Sequence, residues 1–297
     1  KVGVKNTSTL SELSVFLNNA IRKRRPIHFA PTYRAETTLQ LSSLLGLNPL
    51  RIRDYASLPL IEAIVKLRSI KADIEVAEIE KAIETAWHMF TTGMRMAHPS
   101  RKEQEIVGAM EGISIAHGRP VSFPIILSIN GQILHNHHHE NILQEGRMMV
   151  MDAGSETSLN YASDITRTVP VGGKFSQKQR EIYEIVLQAN LKGFAATKPG
   201  VFYKECHTIA AETIAAGLKA LGLMKGDVKE AVAEGAHALF FPHGLGHMLG
   251  MDVHDMEGLG QIHVGYDNEI QPSSQFGTAY LRLGRRLQPG FVVTNEP

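Results

Sequence analysis

The chain lacks most of the features that mark a secreted, membrane-bound or nucleic-acid-binding protein. It has one cysteine, Cys206, in 297 residues, which excludes an internal disulfide and fits a reducing cytoplasm. No apolar run reaches the roughly 20 residues of a membrane span, and the start, residues 1–5, has no apolar signal-peptide core. The net charge is +1, and no basic run is interleaved with aromatic residues. We therefore predict a cytoplasmic protein with neither nucleic-acid nor membrane partners.

The composition is that of a globular protein with a sizeable core. Hydrophobic residues make up 43% and charged residues 21% of the chain, and 297 residues can form one large domain or two smaller ones. Leu58-Pro59-Leu60 marks a boundary, which divides residues 1–60 from residues 61–297. In the second part helices and hairpins alternate twice, with a joint between two helices near Ser69 to Asp73. This order predicts an α+β domain with two similar halves.

Two aspartates form the first candidate pair. Asp152 and Asp164 are an even number of residues apart, so a hairpin centred on Ser158 would turn both toward one side. Directly opposed residues have Cβ atoms about 4.5–5.5 Å apart. Two carboxylates at that distance repel each other unless a cation lies between them. Taken alone, the pair is better explained as a polar hairpin with a solvated aspartate at each end.

Three histidines, His243, His247 and His254, occur within twelve positions among several glycines. The first two have the four-residue spacing of the zinc-protease motif His-Glu-x-x-His, but Gly-Leu-Gly stands between them. These glycines disfavour a helix and indicate a strand that a ligand or neighbouring backbone approaches closely. A single histidine is more often structural; three at this spacing favour a binding site.

A fourth candidate ligand, Glu296, follows the apolar residues 291–293. On its own it is an acid at the end of a predicted strand. Two aspartates, a histidine and a glutamate together suit Mn²⁺, Co²⁺, Fe²⁺ or Zn²⁺ better than Ca²⁺. Adjacent aspartates indicate two metal ions about 3.5–4 Å apart, which would lower the pKa of a bridging water. The pattern predicts a metal-dependent hydrolase whose hydroxide attacks an amide carbonyl.

Taken together, these segments resemble a known family, the proline-specific metallopeptidases with the pita-bread fold, which include aminopeptidase P and prolidase. The resemblance runs from about residue 61 to the end of the chain. It is carried by Met-Asp-Ala-Gly at 151–154, Asp-Ile-Thr-Arg-Thr at 164–168, His-Gly-Leu-Gly-His at 243–247, Asp-Val-His-Asp at 252–255 and Thr-Asn-Glu-Pro at 294–297. It implies a pita-bread catalytic domain with pseudo-twofold halves over residues 61–297. Residues 1–60 look like the tail of a creatinase-type N-terminal α/β domain.

The resemblance also implies a role for each candidate residue. Asp152 would chelate one metal ion, and Asp164 would bridge both. His247 and Glu296 would hold the second ion; manganese is the expected metal, with cobalt, iron and zinc as alternatives.

Three further histidines would act on the substrate. His243 and His254 match positions that contact substrate, and His135 matches a position near the metal ions that assists proton transfer.

The implied reaction is hydrolysis, by a metal-bridging hydroxide, of the bond between an N-terminal residue and proline. Substrates would be peptides or dipeptides with proline in second position, and the protein would be a homo-oligomer. The alternatives are an enzyme like methionine aminopeptidase and a non-catalytic pita-bread binding protein. The His-Gly-Leu-Gly-His form and the upstream domain disfavour the former. The presence of every ligand expected within the chain disfavours the latter.

Two departures from the family pattern modify these expectations. The family's fifth ligand, a second bridging glutamate, lies beyond Pro297, so a chain ending there is expected to bind metal weakly and to be inactive. After His135 the family more often has a tyrosine, whereas this chain has Asn136 followed by His137, His138 and His139. They form either a loop of solvated histidines, which we favour, or an adventitious metal site.

Overall fold

A computed structural model describes residues 4–297 of the chain. Its three strands form one antiparallel sheet in the order β1-β2-β3. Short 3₁₀ turns complete the regular structure, including Glu257–Leu259. The helices and strands are α1 Leu13–Arg22, α2 Ala35–Leu45, α3 Leu58–Ser69, α4 Asp73–Met96, α5 Glu103–Ala116, β1 Ile126–Ser128, β2 Met148–Ala153, β3 Ile165–Pro170, α6 Gln177–Ala196, α7 Tyr203–Ala220, α8 Val228–Ala233 and α9 Gln261–Val264.

The long helices follow from amphipathic sequence and identifiable caps. The predicted joint is confirmed, because α3 ends at Ser69 and α4 begins at Asp73. Ser176 and Gln179 cap α6 reciprocally, each side chain bonding the other residue's backbone N–H. The helices pack in two pairs, α4 with α5 and α6 with α7, and each pair contributes to one of the two larger apolar cores.

The sheet belongs to the first of these cores. Along β2 the side chains alternate, so Met149 and Met151 are fully buried while Asp152 lies on the opposite face. This core also contains Met89, Ile106, Met110 and Leu127 from the α4–α5 pair and β1. The packing therefore decides which face of the sheet carries the acids.

The register of the hairpin differs from the prediction. Asp152 is opposite Thr166 rather than Asp164, since the hairpin is centred on Leu159 and not on Ser158. The reason is the turn: Thr157 N–H donates to the Tyr161 carbonyl at 2.9 Å, and Asn160 has a left-handed φ of 64°. The shift in register is two residues, so both aspartates still lie on one face of the sheet.

The second core lies beneath the segments that carry His247 and Glu296. Here Tyr203, Cys206, Leu245 and Met248 are buried among residues of α3 and α7. The strands that the sequence predicts in residues 243–254 and 291–297 form a single bridge, Met248 with Val293. Three backbone hydrogen bonds also join these segments, from Leu249 N–H to Val292, from Thr294 N–H to His247 and from Glu296 N–H to Leu245, whereas the His247 N–H donates to the side-chain hydroxyl of Thr294 instead of a carbonyl. Whether the two halves are related by a pseudo-twofold axis stays a prediction.

The N-terminal part contributes little to either core. Neither α1 nor α2 buries a residue. The predicted division after residue 60 falls inside α3, whose Ile61 and Val65 pack into the second core, and it stays a prediction. Among residues 4–297, no helix is both long and apolar enough to cross a membrane.

Candidate metal centre

Three of the four predicted metal ligands converge on one point. Ligand atoms of Asp164, His247 and Glu296 all lie within 4.8 Å of one another. His247 Nε2 is 3.1 Å from Asp164 Oδ2 and 3.2 Å from Glu296 Oε1. Two carboxylates from distant segments are thus directed at a single imidazole nitrogen, which is the arrangement of a cation site.

The backbone around His247 fixes the orientation of its ring. Nδ1 lies 2.9 Å from the Met248 carbonyl oxygen, which can only accept, so Nδ1 carries the hydrogen and Nε2 is the ligand atom. The neighbouring Gly246 is required for this approach, since a Cβ there would lie 2.2 Å from the Thr294 carbonyl oxygen. Burial lowers the pKa of His247, but Asp164 and Glu296 raise it more, to about 10. The two carboxylates therefore stabilise a positive charge at the position of His247 Nε2.

Asp152 lies beside this cluster on β2, with its Oδ1 buried and without a hydrogen-bond partner. Burial raises its pKa to about 7, with help from the charge of Asp164, while Thr166 acts in the opposite direction. A buried acceptor without a partner is costly unless something satisfies it. A divalent cation would do so and would also offset the repulsion between the carboxylates.

Close backbone packing holds the two aspartates at the end of the hairpin. A Cβ on Gly154 would lie 1.7 Å from the Ser163 carbonyl oxygen, so only glycine fits there. That oxygen accepts from Ser122 Oγ at 2.8 Å, and the Ser155 N–H donates to Ser163 Oγ at 3.0 Å. These contacts place Asp152 and Asp164 on adjacent strand ends.

Glu296 is oriented by Thr294. The hydroxyl of Thr294 donates to Glu296 Oε1 at 2.7 Å while it accepts from the His247 N–H at 3.0 Å. One hydroxyl therefore connects two ligands. Burial raises the pKa of Glu296, but the hydrogen bond and charge of His247 outweigh it, and the net shift is downward. Three carboxylates and one imidazole, of which the imidazole and Glu296 are oriented by hydrogen bonds, fit Mn²⁺, Co²⁺, Fe²⁺ or Zn²⁺.

The comparison with known families agrees with this donor set. The family described as Metallopeptidase family M24 matches residues 77–297, which includes all four candidate ligands.

The chain belongs to metallopeptidase family M24.

Similar proteins place it near the proline-specific members of M24. The Xaa-Pro aminopeptidase of Escherichia coli is 36% identical over 243 residues, 77% of this chain and 55% of that protein. The solved structure of Pseudomonas aeruginosa aminopeptidase PepP aligns with a TM-score of 0.79 at 28% identity, over 98% of this chain and 63% of that one. A substrate complex of an E. coli aminopeptidase P variant gives 0.77 at 29% identity, over 99% and 72%. The chain spans about half the length of the curated relatives it matches.

These findings confirm the predicted resemblance and fold class: a mixed helix–sheet member of M24 with the pita-bread fold of the aminopeptidase P group.

The three predicted substrate histidines of this M24 chain have different surroundings. The ring of His254 lies edge-on to that of His247, with centroids 4.3 Å apart. His243 is half-buried against Phe241, and its charge contributes to the lowered pKa of Glu296. His135 is exposed, has a left-handed φ of 55° and makes no hydrogen bond or ion pair within residues 4–297. The roles of all three stay predictions.

Sequence reasoning missed several polar residues around the M24 site. Glu257 contacts His254, and Arg282 contacts Glu257. The i,i+3 spacing of His254 and Glu257 was a usable signal, because residues three apart share a face of a helical turn. The contacts of Arg282 with Glu257 and of Thr294 with His247 gave no such signal, because the partners are 25 and 47 residues apart in the sequence.

Proposed function

We propose that the complete protein is an Xaa-Pro metallo-exopeptidase, which removes an N-terminal residue that precedes proline. The observation that carries the proposal is the convergence of Asp164 and Glu296 on His247 Nε2, beside the buried Oδ1 of Asp152, which has no hydrogen-bond partner. The names of the similar proteins, Xaa-Pro aminopeptidase and aminopeptidase P, support this substrate class and favour it over a methionine aminopeptidase.

Four residues would hold two divalent metal ions, most readily Mn²⁺, with Co²⁺, Fe²⁺ and Zn²⁺ as alternatives. These are Asp152, Asp164, His247 and Glu296. When bound, such ions supply Lewis acidity and make water nucleophilic near neutral pH.

The chain's own residues prepare the site for that chemistry. The Met248 carbonyl keeps the hydrogen of His247 on Nδ1, and Thr294 keeps Glu296 pointing toward His247. Burial on the second core excludes water from the back of His247, whose side chain is 7% exposed. His254, on the rim and 41% exposed, is the histidine best placed to meet a substrate.

Specificity for proline requires a binding site that does not rely on an N–H at the bond to be cleaved. A bond that precedes proline has no N–H, so an enzyme that binds substrate through that hydrogen bond loses a contact. Recognition must come from the shape of the ring and from the free amine of the substrate. We include a cytoplasmic location and a homo-oligomeric state in this proposal.

The test is Mn²⁺-dependent release of the N-terminal residue from Gly-Pro and Gly-Pro-Pro by the full-length protein, with Asp164→Ala as the control. Cleavage of the tripeptide identifies an aminopeptidase, and cleavage of the dipeptide alone identifies a dipeptidase; Asp164→Ala should abolish either. If the protein binds metal and cleaves neither peptide, the proposal is wrong and a binding protein becomes the better hypothesis.

A further inference from the structure

His254 has a carboxylate partner that neither the motifs nor the ligand set includes. Nδ1 of His254 lies 3.0 Å from Oε2 of Glu257. The other oxygen of Glu257, Oε1, accepts from Nη1 of Arg282. The residues form a row, Arg282–Glu257–His254, and the row ends where the His254 ring meets the ring of His247.

The local backbone is shaped to bring Glu257 under His254. Met256 has a left-handed φ of 64°, which is uncommon for a residue other than glycine. It starts the turn Glu257–Leu259, in which the Glu257 N–H donates to the His254 carbonyl at 3.1 Å. The strained residue thus stands between the two side chains that meet.

Arg282 belongs to a separate segment, which other hydrogen bonds hold in place. Gln261 Nε2 donates to the Leu281 carbonyl at 3.0 Å, and the Gly284 N–H donates to the Gly265 carbonyl at 2.9 Å. At Gly265 a Cβ would lie 1.9 Å from the Arg282 carbonyl oxygen, so the two segments are in close contact. The guanidinium is therefore held against Glu257 by the fold.

The chemical consequence concerns the tautomer of His254. Burial raises the pKa of Glu257, but the hydrogen bond from His254 and the charge of Arg282 outweigh it and lower the pKa overall. An ionised carboxylate only accepts, so Nδ1 of His254 must donate, and Nε2 becomes the free nitrogen. Without Glu257 the ring could rotate and exchange tautomers.

We propose that Glu257, held by Arg282, is a positioning residue that sets the ring orientation and tautomer of His254. The proposal deepens the proposed function, on which the role of His254 toward substrate rests.

The neighbouring Asp255 has a different task. Its carboxylate is 1% exposed and pairs with Lys71 at 2.8 Å and Arg68 at 2.6 Å, which fastens the backbone of this loop to the joint between α3 and α4. The loop would therefore stay in place when Glu257 is replaced, so the effect of Glu257 can be measured separately.

The experiment compares Glu257→Ala and Glu257→Gln with a matched control, Glu269→Ala. Glu269 also pairs with an arginine, Arg286, at 3.1 Å, but is remote from His254 in its contacts. The first readout is the ¹⁵N spectrum of the imidazoles in the metal-free chain, with His254 assigned by its loss in His254→Gln. The second is kcat and KM for Gly-Pro-Pro with Mn²⁺, measured on the full-length protein.

In Glu257→Ala we expect the His254 Nδ1–H tautomer to give way to a mixture, and kcat to fall about 10- to 100-fold with little change in KM. Glu257→Gln should keep most of the tautomer, because its amide oxygen still accepts, and should lose less activity. Glu269→Ala should match the wild type in both readouts.

The proposal is overturned if Glu257→Ala keeps the wild-type tautomer, or if its kcat equals that of Glu269→Ala. If the wild type cleaves no Xaa-Pro peptide, the proposed function fails, and the imidazole spectrum still decides whether Glu257 orients His254.

Discussion

The two sides of the metal centre are built in different ways. Asp152 and Asp164 belong to the β2–β3 hairpin, where six successive residue pairs hold the strands together. His247 and Glu296 belong to segments joined by one bridge and three backbone hydrogen bonds, and the hydroxyl of Thr294 and the close approach at Gly246 add to their alignment. The first side is held by a continuous ladder of residue pairs, whereas the second combines a shorter set of backbone bonds with a side-chain bond. Single substitutions should therefore have different consequences on the two sides.

The largest expected effect comes from two glycines beside the candidate ligands, one on each side, where a Cβ would meet backbone. Gly154→Ala would place a Cβ 1.7 Å from a backbone oxygen, and Gly246→Ala would place one at 2.2 Å. Because backbone must move in both, we expect losses of about 3 kcal/mol or more in the free energy of unfolding, the larger at Gly154. Urea denaturation measures both.

Gly112, exposed on α5, provides the control, because a Cβ added there would have no atom within 4 Å. Gly112→Ala should stabilise the protein by about 0.5–1 kcal/mol. If Gly154→Ala unfolds at the same urea concentration as the wild type, the close contact between Gly154 and the Ser163 carbonyl does not exist in solution.

The next effect is the pH dependence of Mn²⁺ affinity, to which Asp152 on one side and His247 on the other contribute in different pH ranges. Without metal, the raised pKa values mean that His247 holds a proton below about 10 and Asp152 holds one below about 7. Metal binding must displace both. Affinity for Mn²⁺ should therefore rise about tenfold per pH unit above 7 and up to about a hundredfold per unit below 7, as one or two protons are released.

Calorimetric titration in buffers of different ionisation enthalpy counts these protons. Asp152→Asn removes the carboxyl group that binds the second proton. The Mn²⁺ affinity of this variant should be lower at every pH, and it should change about tenfold per pH unit both above and below pH 7. A wild-type affinity that does not vary with pH would contradict the cation-site assignment.

A smaller effect compares one hydroxyl on each side. Thr294→Val removes the group that joins His247 to Glu296, and we expect Mn²⁺ affinity to fall about tenfold. Thr166→Val removes the hydroxyl beside Asp152, but the β2–β3 ladder still places that carboxylate, so its loss should be smaller.

Thr294→Ser retains the hydroxyl and should restore most of the affinity. Equal losses at Thr166 and Thr294 would mean that the ladder gives the sheet side no advantage.

The smallest effect concerns the second core, which lies beneath the segments that carry His247 and Glu296. His207 and His237 are buried with no hydrogen-bond partner for either ring, 5.9 Å apart between centroids. Burial, with the charges of His237 and His243, lowers the pKa of His207 to about 4. The folded state thus binds fewer protons than the unfolded state between pH 6.5 and 4, so stability falls as the pH drops, by roughly 1 kcal/mol per unit.

Replacing His207 with leucine should reduce this acid sensitivity and leave stability above pH 6.5 almost unchanged, while His237, whose pKa burial also lowers, retains its own share. Thermal unfolding of the metal-free protein at pH 7 and pH 5 tests it, with the exposed His137→Leu as a control that should keep the wild-type difference. An unchanged acid sensitivity in His207→Leu would place its origin elsewhere.

Much of the site was predictable, because its chemistry is carried by residue types. The even spacing of Asp152 and Asp164 predicts a shared face, and the shared face survived even though the hairpin centre moved from Ser158 to Leu159. The register itself was not predictable, since it depends on whether Asn160 adopts a left-handed conformation. The predicted strands around His247 and Glu296 are joined by one bridge and three backbone hydrogen bonds, and a threonine hydroxyl takes the place of one backbone acceptor.

The amino-acid sequence by itself indicated the family, through the motifs that resemble it, the long helices and the candidate metal ligands. The helices follow from local periodicity, and the candidate ligands follow from residue chemistry together with the family resemblance. Tertiary structure alone decided that Arg282 meets Glu257 and that His135 stands exposed. The pairing of Arg282 with Glu257 joins residues from separate segments, and only the packing of the chain brings those segments within hydrogen-bonding distance.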